Sequence, residues 1–267
     1  MWPPTLPGMA VRDRRWCQGN IQHLGVVGAR GLHWMSRFHM LQGAMGYLMS
    51  PLWLLFLGFS TLLAVQDKLG LGGSWDIYGM RVLSWVLAVS VLWLMAPRLI
   101  ALGLILGRRD ERRAWGDPLK LVASVVLETA LSALAAPILM VSQSKALFDI
   151  LIGRDSGWHA QARDDGGVRW GDAICRYSLH LVVGVGSAGL LYATSGEGLA
   201  WAAPVVAGLV LSTPIVVLTA DPAIGLAFLG WGLLATPEEI AHPPRVAPVE
   251  PHPAAPPAFA AQLEVSG

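Results

Sequence analysis

Charge is what this 267-residue sequence has least of: Asp, Glu, Lys and Arg together make 14% of it and nearly cancel, to a net charge of +1. The arginines are scattered over short stretches instead of forming one stripe, which excludes a nucleic-acid binder held by a basic face. Cysteine is scarcer still, with only Cys17 and Cys175. Both fall in segments expected in the cytoplasm, so no structural disulfide is expected. The opening residues carry Pro3, Pro4 and Pro7 and no apolar core, so no cleavable signal peptide is expected. No repeat of fixed period and no sustained apolar-polar alternation occurs, so neither a repeat array nor a sheet is expected.

What the chain does have is apolar length. Hydrophobic residues make 54% of it, mean hydropathy is positive, and the apolar residues gather into runs long enough for the hydrocarbon core of a bilayer. The expected fold is all-α: a polytopic transmembrane helical bundle with interfacial helices and a disordered Pro/Ala-rich C-terminal tail. Residues 1–40 form a cytoplasmic or interfacial segment, extended over 1–20 and amphipathic over 21–40. Residues 41–220 form the membrane region, with spans at about 41–66, 82–106, 177–194 and 199–219. Residues 221–240 are interfacial, because the apolar stretch 223–235 is short for a crossing. The prolines among alanines in 241–267 cannot build a packed core, which predicts a disordered tail.

Topology follows from the basic residues. Arg108, Arg109, Arg112 and Arg113 close the second span, and the positive-inside rule puts them in the cytoplasm. Residues 142–176 carry Lys145, Arg154, Arg163, Arg169 and Arg176 and are assigned to the same side. The segment 119–141 between these two loops, with Glu128 in its middle, is then expected to enter and return: as a re-entrant or interfacial helix, or as half of a hairpin completed by 144–153. An ionisable residue at such depth is expected to face protein or water.

The stretch richest in chemistry is Arg12-Asp13-Arg14-Arg15-Trp16-Cys17-Gln18-Gly19-Asn20. Arginine offers a planar fork of donors that fits phosphate oxygens, and an indole covers the apolar face of a ring. The plainer reading is an interfacial anchor, since basic and aromatic residues commonly flank a span. His23, His33 and His39 follow, but Arg30 and Arg37 intervene and no metal site is expected. The adjacent Asp164 and Asp165 before two glycines mark a turn.

This stretch, with Pro3-Pro4-Thr5-Leu6, Ala29-Arg30-Gly31-Leu32-His33, Ser50-Pro51-Leu52-Trp53, Phe148 through Trp158, Arg163 through Gly167, Trp170-Gly171 and Pro237-Glu238-Glu239, resembles the C-terminal membrane half of the glucans biosynthesis glucosyltransferase H family. These are inner-membrane processive enzymes, glycosyltransferase family 2-like, that make the backbone of osmoregulated periplasmic glucans. The resemblance runs over about residues 3–240. It implies the membrane and channel portion of a UDP-glucose-dependent β-glucosyltransferase, in a bacterial inner membrane, with both termini cytoplasmic.

The resemblance also implies roles. In processive inverting glycosyltransferases a Gln-x-x-Arg-Trp motif sits at the channel mouth, and Arg15 and Trp16 match its last two positions. Trp16 would stack on the acceptor end, while Arg12 and Arg15 would face the donor diphosphate; Arg12 stands where that class has glutamine. Phe148, Arg154, Asp155 and Ser156 resemble a gating loop that moves over the donor pocket, although the threonine and lysine of that loop are not plainly matched. A glycine-containing turn between interfacial helices is the plainer alternative.

No Asp-x-Asp and no Thr-Glu-Asp occurs in the sequence. Catalytic residues are therefore expected outside it, together with the divalent cation that accompanies UDP-glucose, and the chain is expected to be a fragment that transfers no sugar alone. Its expected partners are the lipid bilayer, UDP-glucose, the growing β-glucan and a separately encoded catalytic domain. The alternative is a noncatalytic membrane scaffold or a truncated remnant.

Overall fold

The structure, a computed structural model, describes residues 5–71, 77–154 and 167–241. Among the described residues the regular elements are all helices: α1 Leu6–Val26, α2 Trp34–Lys68, α3 Ile77–Gly107, α4 Arg109–Trp115, α5 Pro118–Leu151, α6 Trp170–Thr194, α7 Gly196–Val210, α8 Ser212–Thr219, α9 Pro222–Gly230 and α10 Pro237–Ala241. Four of these, α2, the Ser84–Gly107 part of α3, α5 and α6, are long and apolar enough to cross a membrane. The pair α7 and α8, bent by 57°, makes a fifth if it counts as one span. The fold is the all-α, polytopic one expected. The tail 242–267 lies outside the described residues.

Two expectations need correction. Residues 6–20 are not extended chain but most of α1. Pro7 sits in the first turn, where its missing N–H breaks no helical bond, and Thr5 caps that turn, its Oγ1 accepting from the Gly8 N–H at 3.2 Å. The helix ends at a turn in which Gly31 takes φ +90°, and Arg37 clasps it by donating to the carbonyls of Ala29 (2.9 Å) and Leu32 (3.4 Å).

The second concerns α5. Residues 144–153 do not fold back as the second arm of a hairpin, because one helix runs from Pro118 to Leu151 through Pro137. At 1.5 Å per residue its ends lie roughly 50 Å apart along the axis, enough to carry them to opposite faces if it stands upright. Loop charge does not report such continuity. Along the helix, Ser124, Thr129 and Ser144 return their hydroxyls to the carbonyls four residues back.

The chain divides into two compact units. The first takes 5–62 and 133–222 of the described residues. One part of its core joins Leu57 of α2, Val141 of α5 and Leu209 of α7. Another gathers Ile138 of α5, Tyr177 of α6 and Val216 of α8, with Leu6 of α1 and Val168 packed against them. Glycine permits the closest approaches: a Cβ on Gly184 would lie 2.8 Å from Leu209 Cβ and 2.9 Å from the Val210 nitrogen, and one on Gly208 would strike the Leu134 carbonyl and Pro137. Ser195 turns α6 into α7, its Oγ accepting from the Gly198 N–H at 3.0 Å. His180 joins α6 to α5, with Nε2 3.1 Å from the Ile138 carbonyl and 3.0 Å from Ser142 Oγ.

The second unit takes 63–132 and 223–241. Arg98 of α3 pairs with Glu128 of α5 at 3.1 Å. The turn after α9 leans on α5: the Leu234 N–H donates to Ser124 Oγ at 2.9 Å, and Gly232, at φ +71°, lies against the Lys120 side chain.

Candidate functional site

The basic-aromatic stretch lies in the middle of α1, where helical spacing sorts it into two faces. Positions three and four apart are neighbours on a helix surface, so Arg12, Arg15 and Trp16 form one patch. The Arg12 guanidinium carbon stands 5.0 Å from the centre of the Trp16 ring, a cation–π distance. Trp16 itself is 57% exposed, and its carbonyl accepts from Asn20 Nδ2 at 2.8 Å. Asn20 in turn presses its amide oxygen onto Gly43 of α2, where any Cβ would collide with it. Asn20 thus ties the backbone under Trp16 to α2, while the indole carries Arg12 over its ring and is otherwise exposed.

The other face of α1 is polar and packed. Arg12 pairs with Asp13 at 3.2 Å. Asp13 Oδ2 accepts from Gln143 Nε2 of α5 at 3.2 Å, and Gln143 Oε1 accepts from Ser50 Oγ of α2. One amide therefore ties three helices together. Between α1 and α5 remains a crevice of about 10 Å³ lined by Asp13, Arg14, Cys17, Ser142 and Gln143 among others. That is room for no more than one water, so the crevice is a seam and not a substrate pocket. Cys17 is buried there, and burial, with the negative Asp13 next in weight, pushes its thiol up to about 11.

A second node lies about two turns further along α5. Asp149 is buried and receives Arg14 Nη1 at 3.5 Å and Arg154 Nη1 at 3.7 Å. Arg14 Nη2 also donates to the Arg154 carbonyl at 3.3 Å. Two guanidinium groups share one carboxylate, so the node keeps an excess of one positive charge, and Arg14 Nε is buried without a partner among the described residues.

Of the residues singled out from sequence, Arg12, Arg15 and Trp16 share one patch of α1. Phe148 is exposed on the last turns of α5, and Arg154 follows them, joined to α1 through Asp149. Asp155 and Ser156 lie outside the described residues, as do Asp164 and Asp165. The sequence reading missed Asp13, Gln143 and Ser50 as one network and Arg14 with Asp149 as another. Asp149 carried a signal, being a lone carboxylate in the apolar run Ala146 to Ile152. Among the described residues no group of three His, Cys, Asp or Glu side chains is placed to hold a metal ion.

Comparison with known proteins gives one name repeatedly. The chain is 42% identical over 253 residues to a glucans biosynthesis glucosyltransferase H of Xanthomonas campestris pv. campestris, covering 91% of this chain and 39% of that protein. It is 40% identical over 248 residues to the protein of that name from Xylella fastidiosa, covering 90% and 39%. For Rhodopseudomonas palustris the figures are 40% over 257 residues, 92% and 35%. The chain thus spans about two fifths of the length of the curated relatives it matches, consistent with their C-terminal part. No family profile and no solved structure matches it.

Proposed function

We propose that this chain, similar along nine tenths of its length to part of curated glucosyltransferases, is the membrane and channel portion of a processive UDP-glucose-dependent β-glucosyltransferase of periplasmic glucan synthesis. The observation that carries the reading beyond similarity is the open face of Trp16 beside Arg12 on a helix clamped to α2 and α5. An exposed indole on a helix held to α2 and α5 suits stacking on a sugar ring, and the neighbouring guanidinium groups suit phosphate.

In this reading Trp16 holds the acceptor end of the glucan, and Arg12 and Arg15 face the donor diphosphate. Arg12 enters that role already paired with Asp13, so the carboxylate tempers its charge. Phe148 and Arg154 begin a loop over the donor, with Asp155 and Ser156 beyond. Catalytic carboxylates and the divalent cation that accompanies UDP-glucose are supplied by sequence other than these residues, either from the rest of a longer chain or from a separate partner. The sugar-end hydroxyl then attacks the anomeric carbon with inversion, breaking its bond to UDP, which leaves, while one of those carboxylates takes the hydroxyl proton; the lengthened glucan passes out between helices.

In this reading both termini lie on the cytoplasmic face of a bacterial inner membrane. Within the first unit, Leu6 at the start of α1, Val168 just before α6 and Val216 in α8 pack around the same two residues, Ile138 and Tyr177. The hairpin of α6 with α7 and α8 therefore returns to the end of the first unit where α1 begins.

The test is glucan synthesis from labelled UDP-glucose in membranes. In a full-length relative, replacing the tryptophan that matches Trp16 by alanine is expected to abolish polymer without loss of membrane insertion; retained synthesis overturns the assignment. Membranes holding only this chain are expected to incorporate no glucose.

A further inference from the structure

The Arg98–Glu128 pair lies where a charged pair is least expected to be bare. Arg98 is nine residues from the end of α3 at Gly107, and Glu128 ten residues into α5 from Pro118. At 1.5 Å per residue both lie ~15 Å along their helices from the strongly charged α4 segment between them, near the middle of a hydrocarbon core roughly 30 Å thick. Yet the side chains are 33% and 56% exposed, among outward-facing Val, Leu and Trp residues. Hydrocarbon against half of an ionised carboxylate is strongly unfavourable, and intramembrane ionisable residues face protein or water-filled space instead.

Register adds a second observation. Along α5, Lys120, Ser124, Glu128 and Ser132 recur every fourth residue, which lays them along one gently winding side of the helix. Near the loop end of this track the Leu234 N–H already uses Ser124 Oγ as an acceptor. The turn after α9 accounts for Lys120 and Ser124, and Arg98 for one side of Glu128; among the described residues Ser132 and the exposed half of Glu128 have no such packing reason.

We infer that Arg98, Ser124, Glu128 and Ser132 line a hydrated intramembrane track that takes a neutral, hydroxyl-rich chain, which under the function proposed above is the glucan on its way across the membrane. The charge balance favours that occupant. Arg98 and Glu128 cancel, so the track offers donors and acceptors without attracting an ion; the Ser132 hydroxyl serves as either, while Ser124, donating to the Lys120 carbonyl and accepting from the Leu234 N–H, keeps one lone pair. A sugar chain presents hydroxyls of both kinds along its whole length.

Substituted-cysteine labelling tests this. Ser132→Cys and, separately, Ser124→Cys are placed in a chain with Cys17 and Cys175 replaced by alanine, and compared with Val126→Cys, whose native side chain is 64% exposed on the same helix. A membrane-impermeant methanethiosulfonate reacts with thiolate, which forms only in contact with water. The track cysteines are expected to react at least about tenfold faster than Val126→Cys, the change in thiolate fraction given by one unit of thiol pKa. A soluble β-gluco-oligosaccharide is expected to slow them.

Rates equal to the Val126→Cys control overturn the track and mean that lipid or another helix covers this face. Fast labelling that ignores the oligosaccharide overturns the sugar as occupant. Glucan synthesis is scored separately in the full-length relative with the matching tryptophan, so dry cysteines beside intact synthesis defeat the track alone. Protected cysteines beside a tryptophan variant that still makes polymer defeat only the role given to Trp16.

Discussion

Arg14 of α1 and Asp149 of α5 meet with Nη1 3.5 Å from Oδ2, and through that contact the opening helix is fastened to the point where the chain leaves α5 at Arg154. The carboxylate is buried while Arg154 stands mostly in solvent, so the two arginines do not contribute equally. Arg14 anchors, and Arg154 remains the arm able to turn toward a ligand.

Removing the carboxylate should show that inequality. Asp149→Ala leaves Arg14 partly buried without its counter-charge, a change that costs about 3 kcal/mol when one partner of a buried pair is lost. Arg154→Ala removes an exposed partner and should cost under about 1 kcal/mol. Unfolding in detergent micelles measures both, and equal losses would mean that the node is not built around Arg14.

Gln143 should behave as a bridge. Its amide serves Asp13 of α1 and Ser50 of α2, so Gln143→Ala strands a carboxylate oxygen and a hydroxyl, at about 1–3 kcal/mol. With Ser50→Ala the two effects should be non-additive by roughly 0.5 kcal/mol or more, as expected of groups in one network. Strict additivity in a double-mutant cycle would separate the two contacts.

The glycines of α6 and α7 should divide sharply. Gly184→Ala and Gly208→Ala each push a methyl into backbone or a ring of a neighbouring helix, an overpacking that costs about 1–3 kcal/mol. Gly186→Ala meets nothing within 4 Å and should be neutral or gain slightly from helix propensity. Thermal denaturation of the three variants reads the difference.

Cysteine alkylation followed by mass spectrometry should separate Cys17 from Cys175. Cys17 is buried with its thiol near 11, and Cys175 is exposed, so at pH 8 Cys175 is labelled while Cys17 stays untouched. Because the folded chain holds the Cys17 proton more tightly than an ordinary thiol at 9.0, the stability this lends is complete below pH 9. It is lost as pH rises toward about 11. Labelling of Cys17 should begin only in that window.

Much of the fold was legible because a bilayer imposes one-dimensional rules. Apolar runs of sufficient length announce helices whatever their neighbours are, so helices at α2, α3 and α6 follow from sequence, although they begin five to seven residues before the expected spans. The reading failed on α1, where prolines suggested extended chain although Pro7 sits in a first turn capped by Thr5. It failed on the hairpin option for α5, where loop charge could not reveal that Pro137 is absorbed within one continuous helix.

The candidate site divides in the same way. Which residue types matter was written locally: two arginines, Arg12 and Arg15, and Trp16 at helical spacing make a patch by themselves. Their partners were not, because Asp13 meets Gln143 across 130 positions and Arg14 meets Arg154 across 140. Hydrogen bonds and ion pairs act over a few ångströms of space, and no periodicity along a chain encodes contacts so distant in sequence. The sequence by itself determined the helices, their apolar medium and the chemistry carried on α1. Only the tertiary structure decided which carboxylate each arginine meets and which face of Trp16 is left open.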